Sequence, residues 1–224
     1  MSNEQCAMCN ARPMKDSGVE WIGKIPENWI IRPVKNSFSI VSGATPKSDN
    51  PEYWDGDIAW ITPADYKTED KFVLFGKRNI TIDGYNSCGT TLVPTGSVVF
   101  SKRAPIGSVS IAGRQLCTNQ GCLSCIPKQF VYSNYFYYAM YVFGEQFNLY
   151  GTGTTFREIS FTAFSDFLLP LPPFDEQRRI AGFLDAECAK INAAVANLDK
   201  QIDAYRRLKR SLIDEVVTGK RKVG

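Results

Sequence analysis

A chain of 224 residues with 44% hydrophobic and 12% aromatic content carries enough apolar mass for one domain of about 170 residues plus an appendage, which excludes a disordered polymer. Its charge is nearly balanced, 26 Lys and Arg against 23 Asp and Glu, and it contains no histidine, which removes Ser/His triads, His-metal nucleases and zinc deaminases. No apolar run approaches the roughly 18 residues of a membrane span, no export signal opens the chain, and an odd seven cysteines are scattered too widely for a disulfide scaffold, so a cytoplasmic location with reduced thiols is expected.

The polar stretch 1–15 is expected to be a flexible extension. From there to about residue 126, short apolar segments alternate with Gly, Pro, Asn and Ser, a pattern that predicts many short strands. Strands are expected at 38–41, 58–61, 72–75, 97–100, 108–111 and 123–126. Ser133 is placed to cap a helix in which Phe136, Met140, Phe143 and Phe147 recur at spacings of four, three and four, an apolar stripe suited to core packing. The Gly- and Thr-rich run 151–155 ends that helix, and the apolar segment 167–171 runs into Pro172 and Pro173, which close the domain at residue 173.

Composition then changes. Between residues 175 and 218 there is no Pro and only one Gly, Gly182, while Gly219 stands where a helix would stop, so one long helix is expected over 174–219 with Asp175 capping it and a basic tail at 220–224. Ile180, Leu184, Cys188, Ile191, Val195, Leu198, Ile202 and Tyr205 recur at intervals of three and four, and Leu208 and Leu212 continue the stripe after a one-residue slip. A period of 3.5 keeps a narrow seam facing a partner helix, as a coiled coil requires. An amphipathic helix folded back on its own domain is the alternative.

The segment from residue 175 onward holds 11 basic and 8 acidic residues and accounts for the whole excess of +3. In the remainder, 84–144 contains no Asp or Glu, only Lys102, Arg103, Arg114 and Lys128, whereas 49–70 is acid-rich. A surface cleared of carboxylates suits a polyanion, with chance composition as the alternative. Two Cys-x-x-Cys pairs, Cys6 with Cys9 and Cys122 with Cys125, lie more than a hundred residues apart, against the roughly 15 to 20 of readable zinc sites, so no metal is expected. Asn50-Pro51-Glu52-Tyr53 superficially matches the Asn-Pro-Pro-Tyr loop of amino methyltransferases, but a glutamate replaces the second proline and no glycine-rich turn offers a cofactor a seat. The run 151–155 lacks the Lys of a nucleotide loop and is read as a flexible turn.

Four matches in order resemble the specificity subunits of Type I restriction-modification systems: 16–29 (DSGVEWIGKIPENW), 42–66 (SGATPKSDNPEYWDGDIAWITPADY), 94–113 (PTGSVVFSKRAPIGSVSIAG) together with 118–122 (TNQGC), and 169–185 (LPLPPFDEQRRIAGFLD). The resemblance covers nearly the whole chain and makes 50–53 a fold element. It implies an α+β protein, with a strand-rich DNA target-recognition domain at 16–173 followed by a long coiled-coil helix, and no catalytic centre. Usual members of that family carry two recognition domains and two spacer helices, whereas this sequence has one of each, so it looks like a half-subunit; a truncated remnant is the alternative.

The expected DNA contacts are Lys47, Lys102, Arg103, Arg114 and Arg157, with Asn119, Gln120 and Thr154 as neutral hydrogen-bonding partners. Arg103 leads because it lies in the acid-free stretch and a guanidinium grips phosphate or guanine in bidentate fashion. The expected partners are double-stranded DNA, a second copy paired antiparallel through the helix, a modification (methyltransferase) subunit and a restriction (motor and nuclease) subunit. The resemblance assigns S-adenosylmethionine, ATP and Mg2+ to those partner subunits and no cofactor to this chain. Two rival functions stand beside it, a dimeric DNA-binding or antirestriction protein without base specificity, and a self-contained enzyme using Asp55 and Asp57.

Overall fold

The computed structural model describes residues 12–66, 70–153 and 157–223, which fall into one compact unit up to Arg178 and another from Arg179 onward. The first unit opens with β1 (Met14–Asp16) antiparallel to β2 (Lys24–Pro26). Next, β3 (Ile30–Pro33) runs through one helical turn, α1 (Val34–Ser37), into β4 (Phe38–Ser42). Then come β5 (Trp54–Ile61), β6 (Phe72–Val73), β7 (Asn79–Ile80), the short helix α2 (Ile82–Asn86) and the strands β8 (Val98–Ser101), β9 (Val109–Ala112), β10 (Cys117–Thr118) and β11 (Cys122–Pro127). After α3 (Ser133–Val142) and α4 (Gly144–Leu149), the hairpin β12 (Gly151–Thr152) and β13 (Glu158–Ile159), helix α5 (Phe161–Asp166) and β14 (Leu168–Leu171) complete the unit. Because β14 pairs antiparallel with β3, the end of the domain closes against its beginning.

A five-stranded sheet has the order β4-β11-β8-β9-β6, antiparallel except for β6 on β9, and a three-stranded sheet has the order β10-β5-β7. Every residue of β8 and β9 is buried, Ser101 and Ser110 included, which explains why Val98, Val99 and Phe100 form an unbroken apolar run. All six expected strand segments contain a strand. The one at 72–75 stops after Val73, and Phe72, Leu74 and Phe75 are exposed. Strands of two residues, such as β10 and β13, are too short to show a period in sequence.

The helix expected from Ser133 breaks at Phe143, whose ψ of 14° leaves the helical region. The cause is remote. Gly144 follows the break and backs onto Gly107, whose φ is +99° and where a Cβ would lie 2.9 Å from the Gly144 Cα. The stripe still does its work, since Phe136, Met140 and Phe147 are buried, and Phe147 stacks on Phe167 at 3.8 Å between ring centroids. Ser133 does not cap the helix. Tyr132 occupies that position, and the Ser133 hydroxyl donates instead to the carbonyl of Gly96 at 2.6 Å.

The last helix, α6 (Phe174–Val217), begins one residue before the expected cap, so Asp175 and Glu176 lie within its first turn, where carboxylates favour the positive end of the helix dipole. Its 44 residues span about 65 Å. Gly219, at φ +74°, follows its end as the sequence predicts. Its root is fixed by Gln177, almost wholly buried, whose amide nitrogen donates to the carbonyls of Phe130 and Pro172 while its oxygen accepts from the Tyr132 N–H at 2.8 Å. Glu176 accepts an ion pair from Arg12. Arg12 is thus engaged and Met14–Asp16 is a strand, so residues 12–15 are tied to the fold, while residues 1–11 lie outside the described residues. Cys6 and Cys9 lie outside the described residues.

Candidate nucleic-acid interface

Four turns meet at one end of the two sheets. The segment after β4 is drawn onto the β10–β11 turn by a hydrogen bond from Ala44 N to Thr118 O at 2.9 Å, and Gly43 is required there, since a Cβ would sit 2.1 Å from that same carbonyl. Two indoles pin the segment from below, Trp60 Nε1 donating to Ala44 O at 2.9 Å and Trp54 Nε1 to Lys47 O at 3.2 Å. The Thr45 hydroxyl then donates to the side-chain oxygen of Gln120. Asn119 donates from its backbone to Ile61 O and accepts from Gly121 N at its own side chain, both at 2.9 Å, while Lys102 N donates to Gly121 O. The third turn, at 62–65, is locked by Asp65, which accepts from the Thr62 backbone and hydroxyl and from Lys77 N. That carboxylate is consumed internally.

Between these turns lies a cleft of about 500 Å³ whose lining includes Thr62, Pro63, Arg103, Pro105, Asn119 and Arg157. Pro105 follows a cis peptide bond. The fourth turn, between β8 and β9, supplies Arg103 and Pro105, and Arg157, just before β13, donates from its guanidinium to the carbonyls of Asn148 and Gly151. Lys47 and Gln120 are exposed, and Asn119 is half-buried. Six of the eight residues singled out from the sequence, Lys47, Lys102, Arg103, Asn119, Gln120 and Arg157, thus belong to this cluster of turns.

Arg114 does not. It follows β9, whose Ile111 pairs with Val98 at the start of β8, whereas Arg103 follows the opposite end of β8. Its guanidinium lies over the Phe75 ring, 4.4 Å from the centroid. Thr154 lies outside the described residues.

Glu158 is the residue that sequence reasoning missed. Its carboxylate receives both leading cations, Lys102 Nζ at 2.7 Å and Arg103 Nε at 2.7 Å, and the pairing is set by the backbone, where Arg103 bridges Glu158 and Ile159 N donates to Lys102 O at 3.0 Å. Partial desolvation pushes the Glu158 carboxyl up, but the hydrogen bonds and charges of Lys102 and Arg103 outweigh it and hold the group below the ordinary carboxylate value. The acid-free window of 84–144 is therefore not an acid-free surface, because β13 supplies the carboxylate from outside it.

Two other motifs resolve into architecture. Asn50 accepts from Glu52 N at 3.1 Å and starts a single turn, Pro51–Tyr53, so its side chain serves its own backbone. Cys122 and Cys125 lie on the strand β11, three residues apart, which sends their side chains to opposite faces. No group of three or more metal-binding side chains occurs among the described residues.

On the second unit, Ile191, Val195, Leu198, Ile202, Tyr205, Leu208 and Leu212 are exposed by between 44% and 70%, while Ile180, Leu184 and Cys188 are half-buried. Seven apolar side chains in one stripe thus face solvent.

Residues 26–203 match the Type I restriction modification DNA specificity domain. Over 166 residues the chain is 38% identical to the Type I restriction enzyme MjaIX specificity subunit of Methanocaldococcus jannaschii, covering 73% of this chain and 38% of that protein. It is 21% identical over 217 residues to the EcoKI specificity subunit of Escherichia coli, covering 88% of this chain and 44% of that one. The crystal structure of the HsdS subunit from Thermoanaerobacter tengcongensis shares the fold, with a TM-score of 0.65 at 20% identity over 90% of this chain and 47% of that one. The chain spans less than half the length of each of these relatives. With the family match extending from the β2–β3 region deep into α6, this chain belongs to the family of Type I restriction modification DNA specificity domains.

Proposed function

We propose that the chain reads DNA for a Type I restriction-modification complex, one base-recognition domain per chain, without chemistry of its own. The observation that carries this reading is that Arg103, Asn119 and Arg157 line one cleft while Lys47, Lys102 and Gln120 sit on the adjoining segments. Cations there meet phosphates and fix the register, while guanidinium and amide groups match base edges. Methylation of adenine and cleavage belong to partner subunits, which bring S-adenosylmethionine, ATP and Mg2+.

The exposed stripe of α6 pairs with the same stripe of a second copy. Net charge along the stripe favours an antiparallel pair: Asp185, Glu187 and Lys190 before its centre leave a slight negative excess, whereas Asp199, Lys200, Asp203, Arg206, Arg207, Lys209 and Arg210 after it leave a positive one. Antiparallel helices set these sections against each other, and parallel ones would stack the Arg-rich section on itself. Two identical readers related by a two-fold axis read a palindromic target with an unread middle. Co-expression with a modification subunit, followed by mapping of methylated adenines across a genome, tests this. A two-part palindrome is expected, and methylation at a non-palindromic target would refute the two-fold pair.

A further inference from the structure

We infer that Glu158 is a specificity-determining residue, which occupies Lys102 and the Nε edge of Arg103 so that only the two terminal Nη groups of Arg103 remain to read DNA. The inference rests on the DNA-reading function proposed above. Its basis is geometric. Glu158 accepts from Lys102 through one oxygen and from Arg103 Nε through the other, and no other hydrogen bond of Arg103's guanidinium occurs among the described residues. Lys102 is 15% exposed, so its charge is largely committed to the pair, whereas Arg103, at 45%, lines the cleft.

Consider the same cleft without the carboxylate. Two neighbouring cations would grip any phosphate that approached, and phosphate contacts are blind to sequence. With Glu158 in place, one cation is neutralised and the other is held by its inner edge. The outer edge of a guanidinium carries two parallel N–H groups, the arrangement that matches O6 and N7 of guanine. The carboxylate thus converts non-specific attraction into an oriented donor pair. An exposed ion pair alone would be too weak to fix such an orientation, but here the backbone bridge between Arg103 and Glu158 holds both partners in place.

The test uses the full chain assembled with a modification subunit and two DNA probes: a duplex selected by the wild-type assembly from a randomised pool, and a random duplex of the same length. Glu158→Gln is expected to tighten binding to the random duplex several-fold, steepen its salt dependence by about one ion, and cut the preference for the selected duplex about tenfold. Arg103→Lys, which keeps the charge but loses the donor pair, is expected to weaken binding to the selected duplex about tenfold. Asp214→Asn, on the long helix, makes the same change in net charge as Glu158→Gln and is expected to leave the preference unaltered. If Glu158→Gln keeps the wild-type preference and salt dependence, the assignment is wrong; so it is if Arg103→Lys binds the selected duplex as tightly as wild type. Should the wild-type assembly select no sequence at all, the DNA-reading function fails instead.

Discussion

Burial governs the chemistry of the thiols. It pushes Cys117 and Cys122 up to about 12 from an ordinary value of 9.0, and drives Cys125 up as well. These groups stay neutral and unreactive near neutral pH, because the thiolate is the nucleophile. Among the cysteines of the described residues, alkylation followed by peptide-resolved mass spectrometry is expected to label the half-buried Cys88 and Cys188 before these three, which react only on unfolding. Rapid labelling of Cys125 in the folded protein would contradict the packing. The same shifts have a sign for stability: a group whose folded pKa is raised stabilises the fold below its unfolded value and loses that contribution as pH climbs through the folded one. Urea midpoints are therefore expected to fall as pH rises above 9.0 toward about 12. At this scale the sequence was a partial guide. Lys102 and Arg103 stand out because no acid lies near them in the chain, yet their shared partner sits 55 residues beyond Arg103, and nothing in local composition points to it. The spacing of Cys122 and Cys125 has the look of a metal pair until the strand underneath separates them.

Local rules hold for elements whose causes are local. The long helix follows from the absence of Pro and from Gly182 as its one glycine, and its end at Gly219 from the left-handed conformation that glycine adopts cheaply. The break at Phe143 was not legible, because its cause is the Gly107–Gly144 approach across the fold, and Ser133 lost its capping role to a carbonyl 37 residues away. For the stripe on α6, replacing Leu198 and Ile202 with Asp is expected to leave the protein folded, since both side chains are exposed, but to abolish self-association in analytical ultracentrifugation. An unchanged sedimentation coefficient would show that this stripe is not the contact between copies. Inserting four residues into the stripe lengthens the helix by about 6 Å, close to two base-pair steps of DNA, and is expected to widen the gap between half-sites accordingly while the recognised bases stay the same. A change in the bases themselves would remove the helix as the spacer.

For the molecule as a whole, the modest net charge of +3 limits how hard it can pull on DNA. Arg103 and Arg157 line the cleft and the neighbouring Lys102 is paired with Glu158, so the isolated protein is expected to show a shallow dependence of affinity on salt, well below ten ions, with tight binding only in the assembled complex. A slope of ten or more would mean a second phosphate-binding surface elsewhere. The cleft also separates two jobs that proteins often entangle. Main-chain bonds and two buried indoles fasten the turns to the sheets, while the tips carrying Thr45, Lys47, Gln120 and Pro105 contribute little to the interior. Under the proposed function, new target preferences can arise by drift at those tips with the scaffold untouched, so a lineage carrying this gene can change its self-recognition mark without passing through unstable intermediates.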